Sequence, residues 1–368
     1  SGGSPSLGVR QRELAIFTDT FPINSADHQM MATHSVATPG MVFSIDQERI
    51  GFNTDRSTYA DSLINHDLLL TSVGCSQHGP TSEIIQAEAA LRATPAIQEV
   101  HALLGFGSFS YVFSSTVEGF SEGPVAVKVL KTLMPLQGRE ASILMTMDHP
   151  NIVKLLSIIE GPCNALVLEL CAGGCLGSFL HAEKYQHLAA VLTFRARLGA
   201  ALDVAHALEY LHSKDTMHRD VKPDNCFLSA SAAPVGECGP VKLGDMGFAR
   251  ECTGGHMTKE VGTWIYMAPE VVRDSDYDFH ADTYSYGILL HDIISGVVPY
   301  SGSSLVNDPR LILRIARGLR PNLDEMALGC STTPEIKSLT SDCWDQDAKK
   351  RPSFANIVDR LQWIFRAA

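Results

Sequence analysis

The segment His218–Asn225, with the sequence HRDVKPDN, limits most strongly what this chain can fold into. The stretch before it, Thr193–His212, has the apolar spacing of an amphipathic helix, and Cys226–Leu228 after it is typical of a short strand. The segment is therefore predicted to be a loop between a helix and a strand, in which three polar side chains can converge: Asp220, Lys222 and Asn225.

These three side chains suit the transfer of a phosphoryl group. Asp220 can accept a hydroxyl proton or orient a nucleophile, Lys222 can neutralise a phosphoryl oxygen, and Asn225 can bind a metal ion. Further on, Asp245 follows the strand-like Val241–Leu243 and precedes Met-Gly. A carboxylate at the end of a strand can hold Mg²⁺, which prefers oxygen ligands.

A glycine-containing stretch, Gly105–Val112 (GFGSFSYV), lies upstream between two strand-like runs. Glycines let backbone N–H groups approach phosphates closely, although an ordinary hairpin turn is the commoner use of such a stretch. A dinucleotide fold would need a helix next, whereas Tyr111–Ser115 looks like a strand. The pattern therefore predicts a hairpin that covers ATP.

Lys128 lies in the apolar, strand-like run Val125–Leu130. An ammonium fixed by a strand could reach phosphate oxygens if a carboxylate held it in place. Glu140, at the head of the helix-like stretch Glu140–Met147, is the candidate carboxylate. Either residue alone could equally be a surface charge, but their occurrence with the HRDVKPDN loop favours a functional pair.

The regular elements indicate an α+β protein, because strands come first and helices later. Ala165–Leu170 is strand-like, and Ala281–Ser295 is apolar almost all round, which predicts a buried helix. Residues 1–94 carry no motif and are predicted to be a regulatory or linker extension, disordered in part. Within them, Ser82–Arg92 is predicted to be a helix that ends before Pro95.

The net charge and the cysteines limit which kinds of partner and which cellular compartment this chain suits. The formal net charge of −12 argues against nucleic acid or an anionic membrane as the main partner. No apolar run approaches the roughly 20 residues that span a bilayer, which predicts no membrane segment in this chain. Nine scattered cysteines favour reduced thiols inside the cell, and Cys171 with Cys175 lacks the second pair that a zinc site needs.

In this order the motifs resemble the eukaryotic protein kinase family over about residues 98–365. The resemblance extends to Ala268-Pro269-Glu270, to Asp282 in DTYSYG and to Arg351 in the CWDQDAKKRPSF tail. It implies an α+β, two-lobed protein kinase fold, with a small β-rich N-lobe that has one main helix and a larger helical C-lobe. The implied boundaries are an extension at 1–94, the N-lobe at 95–168, a hinge at 169–172 and the C-lobe at 173–368.

The resemblance also assigns roles to residues. It implies that Lys128, Glu140, Asp220 and Lys222 are catalytic, and that Asn225 and Asp245 bind Mg²⁺. The residues implied to bind ATP are Gly105, Gly107, Val112, Ala126, Lys128, the gatekeeper Leu168, the hinge backbone of Glu169 and Cys171, and Phe227. Glu270 is implied to pair with Arg351, and Asp282 to hold the backbone of the catalytic loop.

Lys222 and the stretch GTWIYMAPE resemble serine/threonine kinases, most closely the tyrosine-kinase-like branch. The implied activity is transfer of the ATP γ-phosphate to Ser or Thr of protein substrates, and the implied location of this chain is the cytoplasm, where it could be the intracellular part of a longer chain. Arg219 implies regulation by phosphorylation of the activation loop at Thr258 or Thr253, by an upstream kinase or by a second copy in trans. The alternatives are an ATP-binding pseudokinase scaffold, a dual-specificity kinase and a kinase of small molecules.

Several positions depart from the family pattern. Ser110 replaces the third loop glycine, and Met246 replaces the usual Phe, whose apolar slot a thioether can fill. Residues 229–240 look like an insertion in a turn, and they are predicted to form a surface loop without a catalytic part.

Overall fold

The computed structural model describes residues 82–107, 109–131, 135–161, 163–229, 237–251, 264–273, 276–303, 310–326 and 333–368. A five-stranded antiparallel sheet forms a small lobe, and helices form a larger one, which confirms the predicted α+β, two-lobed fold.

The sheet has the strand order β1-β2-β3-β5-β4. Its strands are β1 (Ile97–Phe106), β2 (Ser110–Val117), β3 (Val125–Leu130), β4 (Leu155–Ile159) and β5 (Ala165–Leu168). The bounds of β3 are those predicted, and β2 contains the predicted strand after the glycine turn. β5 ends two residues earlier than predicted, because the Glu169 carboxylate accepts the Lys154 N–H at 2.7 Å where a ladder carbonyl would do so.

Successive residues of β2 and β3 point to opposite faces of the sheet. Tyr111, Phe113, Val127 and Val129 belong to an apolar cluster on one face, which we call the outer face. Lys128 lies on the other face, which we call the cleft face. This alternation explains why a run as apolar as VAVKVL still carries a lysine.

Helix α1 (Ser82–Arg92) has the predicted bounds and packs on the outer face. Its residues Ile84 and Leu91 are buried, with Ala87 and Ala90 partly buried between them, which is the spacing of one helical face. The helix therefore shares the apolar core of the sheet.

Helix α2 (Pro135–Met145) is the main helix of the small lobe, and the predicted start at Glu140 was wrong. Proline is tolerated in the first turn of a helix, where its missing N–H needs no partner. The helix ends at Met145 rather than Met147, because the next N–H groups turn to carbonyls three residues back. Glu140 consequently lies in the middle of the helix.

The larger lobe contains eight helices in the described residues, followed here in chain order: α3 (Leu176–His181), α4 (Gln186–Ala189), α5 (Phe194–Ser213), α6 (Pro269–Val272), α7 (His280–Ser295), α8 (Arg310–Ala316), α9 (Thr333–Cys343) and α10 (Phe354–Ala367). α5 begins one residue later than predicted, because the Thr193 hydroxyl caps it by accepting the Ala196 N–H at 3.1 Å. α7 is buried on nearly all sides, as predicted.

Two short antiparallel pairs lie beside these helices. β6 (Thr216–Met217) pairs with β9 (Arg250–Glu251), and β7 (Cys226–Leu228) pairs with β8 (Val241–Leu243). Both members of the second pair have the predicted bounds, and residues 229–240 connect them. Of that predicted insertion, residues 230–236 lie outside the described residues.

One apolar cluster joins the two lobes. Ile143 and Leu144 of α2 pack in the same core as Leu208 of α5, Met246 and Tyr286 of α7. Met246, the residue that departs from the family pattern, is buried there. None of the helices in the described ranges has the length and apolar character needed to cross a membrane.

Candidate active site

Lys128 is buried on the cleft face and lies between two carboxylates. Its Nζ is 2.7 Å from Glu140 Oε1 of α2 and 2.8 Å from Asp245 Oδ1, which follows β8. Burial acts to lower the pKa of this ammonium, but the two carboxylates outweigh burial and raise the pKa. Burial likewise acts to raise the pKa of Asp245, and Lys128 more than offsets it, which brings that pKa down to about 2. Three separate elements therefore converge as a charged trio.

The polar side chains of the HRDVKPDN loop lie together, as their spacing predicts. The Asp220 carboxylate is buried, accepts the Asn225 Nδ2–H at 2.8 Å and lies 2.9 Å from Lys222 Nζ. Asn225 also donates to the Asp220 carbonyl at 2.8 Å. Both bonds use the amide nitrogen of Asn225, so neither engages its amide oxygen. The arrangement fixes one carboxylate and leaves an oxygen suited to a hard cation.

A single buried aspartate of α7 supports the backbone of this loop. Asp282 accepts the N–H groups of His218 and Arg219 at 2.8 Å each, and His212 Nε2 lies 3.0 Å from it. Burial acts to raise the pKa of Asp282, but the His212 contact and the backbone bonds outweigh it and lower the pKa. Arg219 has φ 71°, a left-handed conformation that is costly for a residue with a side chain. The carboxylate thus holds the strained turn that precedes Asp220.

His218, which the sequence analysis gave no role of its own, connects the two halves of the site. Its Nε2 lies 3.0 Å from the Gly244 carbonyl, and its Nδ1 accepts the Asp220 N–H at 3.2 Å. The ring is fully buried. Its place as the first residue of HRDVKPDN was the signal that could have identified it.

The two candidate Mg²⁺ ligands lie at neighbouring points of the backbone. The Gly244 N–H donates to the Asn225 carbonyl at 2.9 Å, and Asp245 follows Gly244 with φ 59°, again left-handed. Among the described residues, no group of three or more His, Cys, Asp or Glu side chains could hold a metal alone. Mg²⁺ typically binds one or two carboxylates together with substrate phosphates. Asn225 and Asp245 therefore fit a magnesium ion whose other ligands come from the phosphates of a bound molecule.

Three of the residues expected around a nucleotide lie on the cleft face of the sheet, and three others lie beyond the end of β5. In the sheet register, Val112 lies opposite Lys128, and Ala126 lies opposite Leu168 at the end of β5. Glu169 and Cys171 follow Leu168 as the chain leaves the small lobe. Phe227 lies in β7, and its backbone forms an isolated antiparallel β-bridge with Cys175.

The glycine stretch forms the turn between β1 and β2. Gly107 N–H donates to the Ser110 carbonyl at 2.9 Å, and a Cβ at Gly105 or Gly107 would meet nothing within 4 Å. Packing therefore does not require these glycines. The rings of Phe109 and Phe248 meet edge to face with centroids 5.8 Å apart, a contact that sequence reasoning missed because it joins distant segments.

Arg219, expected to receive a phosphorylated loop, has its guanidinium against Tyr277. The Nε and Nη2 atoms donate to the Tyr277 hydroxyl at 2.9 and 2.6 Å, and Nη1 lies 3.4 Å from the Phe248 carbonyl. The candidate phosphorylation sites Thr253 and Thr258 lie outside the described residues.

Glu270 and Arg351 are brought together as a bidentate pair. Arg351 Nη1 lies 2.5 Å from Glu270 Oε1, and Nη2 lies 2.9 Å from Oε2. The Arg351 side chain is fully buried and also donates to the carbonyls of His280 and Asp345. The guanidinium therefore connects Glu270 of α6 with the first residue of α7 and with the segment at Asp345.

Comparison with known proteins gives one consistent result. The family model described as protein tyrosine and serine/threonine kinase matches residues 98–361. The chain is 32% identical over 268 residues to serine/threonine-protein kinase STY17 of Arabidopsis thaliana, covering 71% of this chain and 43% of that protein. It is 33% identical over 279 residues to serine/threonine-protein kinase VIK of the same plant, covering 72% and 59%. The chain thus spans about half the length of these relatives.

Proposed function

Because the chain belongs to the protein tyrosine and serine/threonine kinase family, we propose that it transfers the γ-phosphoryl group of ATP to serine and threonine hydroxyls of proteins. The observation that carries the proposal is Lys128 Nζ, held within 2.8 Å of both Glu140 and Asp245. A pseudokinase typically lacks one of these groups. Here all of them are present and in contact.

The residues divide the chemistry among them. Asp220, oriented by Asn225 and Lys222, receives the proton of the substrate hydroxyl, and Lys222 neutralises charge on the phosphoryl group that is transferred. Lys128 binds the α- and β-phosphates of ATP. Asn225 and Asp245 would hold Mg²⁺, which when bound neutralises phosphate charge. The positions of Val112, Ala126, Leu168, Phe227 and the Glu169–Cys171 backbone support an adenine site beside them.

Serine and threonine are favoured as acceptors by two observations. Lys222 follows two residues after Asp220, the arrangement that resembles serine/threonine kinases, and its ammonium contacts the Asp220 carboxylate. Relatives that share about 30% identity carry serine/threonine-protein kinase in their names. The protein itself is expected in the cytoplasm, where it could be the intracellular part of a longer chain, in keeping with the reduced state of the described cysteines.

Regulation by loop phosphorylation is part of the proposal. The Arg219 guanidinium lies beside the Phe248 carbonyl, at the start of the segment that leads to Thr253 and Thr258. A phosphate on either threonine, added by an upstream kinase or by a second copy in trans, would find this charge near the catalytic loop. Loss of activity in Thr258→Ala or Thr253→Ala, with phosphate found at that site in the wild type, tests this part.

The central test compares Asp220→Asn with Asp215→Asn, a change at an exposed aspartate five positions earlier. Phosphate transfer from ATP–Mg²⁺ to a mixed library of peptides should vanish in Asp220→Asn and persist in Asp215→Asn, while both still bind ATP. Phosphoamino-acid analysis should show phosphoserine and phosphothreonine; phosphotyrosine as well would indicate dual specificity. A loop-phosphorylated wild type that binds ATP without transferring phosphate would be a scaffold, and the proposal would be wrong.

A further inference from the structure

Helix α1 lies before the part of the chain that matches the kinase family, yet it belongs to the core of the small lobe. The match begins at residue 98, whereas the buried residues Ile84 and Leu91 of α1 belong to the same apolar cluster as Phe113 and Val127 of the sheet. The helix thus lies outside the matched range and yet contributes to the apolar cluster on the outer face of the sheet.

A hydrogen bond connects α1 to the strand that follows the glycine turn. The Tyr111 hydroxyl donates to Glu83 Oε2 at 2.7 Å, and the Lys131 ammonium lies 4.4 Å from the centre of the Tyr111 ring. Tyr111 is only 4% exposed. Burial and the Glu83 carboxylate raise the pKa of Tyr111 to about 12, so its hydroxyl stays a donor at physiological pH.

The far end of α1 is fixed as well. Leu91 is fully buried, and the Arg92 guanidinium donates to the Val100 carbonyl of β1 at 3.0 Å. The Thr94 hydroxyl closes the last turn by donating to the Ala90 carbonyl at 3.0 Å. Since both ends are anchored to neighbouring strands, the helix acts as a brace across β1 and β2.

Tyr111 directly precedes Val112, a residue of β2 on the cleft face of the sheet. Side chains alternate along β2, so Tyr111 faces α1 while Val112, directly opposite Lys128, faces the cleft. The glycine turn is continuous with this end of β2, because Gly107 bonds to Ser110. A shift of Tyr111 relative to α1 therefore moves Val112 and the glycine turn together.

We propose that Glu83 and Tyr111 are positioning residues for nucleotide binding, through which α1 sets the height of the glycine turn above the ATP phosphates. The inference rests on the proposed function, since ATP is the ligand that the turn would cover. It assigns a role to a helix outside the matched domain and to a side chain that never touches the nucleotide.

The test uses the full chain and measures ATP–Mg²⁺ affinity by displacement of a fluorescent ATP analogue. Tyr111→Phe keeps the ring and removes the donor, and Glu83→Ala removes the acceptor. Each should raise the Kd for ATP about tenfold, equivalent to about 1.4 kcal/mol. The double variant should be no weaker than either single one, because both changes break the same bond. Glu83→Gln, which keeps an acceptor oxygen, should restore most of the affinity.

Gln86→Ala is the matched control, because Gln86 is an exposed residue of the same helix. It should leave the Kd unchanged. The KM for a peptide substrate should also stay constant in all variants, which a general loss of structure would not allow. Unchanged ATP affinity in Tyr111→Phe and Glu83→Ala overturns the inference, as does loss of ATP and peptide binding together. A wild type that binds no ATP overturns the proposed function instead.

Discussion

Two nitrogens of the Arg219 guanidinium donate to one oxygen, the hydroxyl of Tyr277, at 2.9 Å from Nε and 2.6 Å from Nη2. Arg219 lies directly before Asp220, and Tyr277 lies just before α7, whose Asp282 accepts the Arg219 N–H. The side chain and the backbone of Arg219 are therefore tied to the same part of the large lobe. This contact fixes the guanidinium of Arg219, a positive group next to Asp220 that has no part in the proposed phosphoryl transfer.

Replacing Tyr277 with Phe should lower the free energy of unfolding by about 1.5 kcal/mol, because a hydrogen bond to a charged group is lost. Urea denaturation measures the change. Tyr210→Phe is the control: its hydroxyl accepts only a neutral, exposed N–H from Asp148 among the described contacts, at 3.2 Å. The control should lose less stability, and equal losses would contradict the importance given to the Arg219 contact.

The pair formed by Arg351 and Glu270 should be far more costly to break than an exposed pair. Arg351→Met removes both hydrogen bonds from Arg351 to the Glu270 carboxylate and should cost about 3 kcal/mol. Arg360→Met breaks an ion pair with Asp342 in which both side chains are at least one-third exposed, and it should cost less than about 1 kcal/mol. Denaturant titrations of both variants decide the matter, since similar losses would show that burial gives the Glu270 pair no advantage.

His181 should make the stability of the large lobe depend on pH. Its Nε2 lies 2.7 Å from Asp292 of α7; burial acts to lower the pKa of His181, but Asp292 outweighs it and raises the pKa above 6.5. Asp224 acts in the same direction and Arg197 opposes it. A raised pKa in the folded state means that the stabilisation is complete below pH 6.5 and is lost as pH rises through the folded value.

The comparison of wild type with His181→Gln checks this sign. The wild type should be more stable than the variant at about pH 5.5, and the difference should shrink towards about pH 8.5, where the imidazole is neutral. Unfolding free energies measured in urea across this range supply the curve. A difference that stays constant with pH would show that the protonated form of His181 is not preferred in the folded protein.

Leu91→Ala should destabilise the small lobe by about 3 kcal/mol, because it opens a cavity between α1 and the sheet. Ile85→Ala is the matched change on the exposed face of the same helix, where the side chain is 54% exposed, and it should cost little. Thermal unfolding of the two variants makes the comparison. If they melted alike, the packing of α1 on the sheet would carry no energy.

Residue type and spacing were enough to predict several elements and the convergence of polar groups in one loop, but not the contacts between distant segments. Asp220, Lys222 and Asn225 lie within six positions, so their convergence follows from a single loop. The bond from Arg219 to Tyr277 joins residues 58 positions apart, and no local pattern marks it.

The helices likewise have boundaries that local residues predict and packing that they do not predict. Pro95 allowed the end of α1 to be predicted. The apolar face of this helix, however, did not indicate which surface of the protein would cover it. The start of α2 was missed because Pro135 and Gly138 are poor helix formers in isolation, and packing against the lobe core overrode that preference.

The packing of α1 on the sheet also shows that the apolar core of the small lobe extends beyond the range that matches the family. The matched domain begins at residue 98, but the sheet it contains is covered by side chains as early as Ile84. A genetic exchange among relatives that cut at residue 98 would transfer every residue of the candidate active site without the helix that shares an apolar cluster with Phe113 and Val127. Its product would expose an apolar sheet face, which favours aggregation, unless the new neighbour supplied a helix of its own.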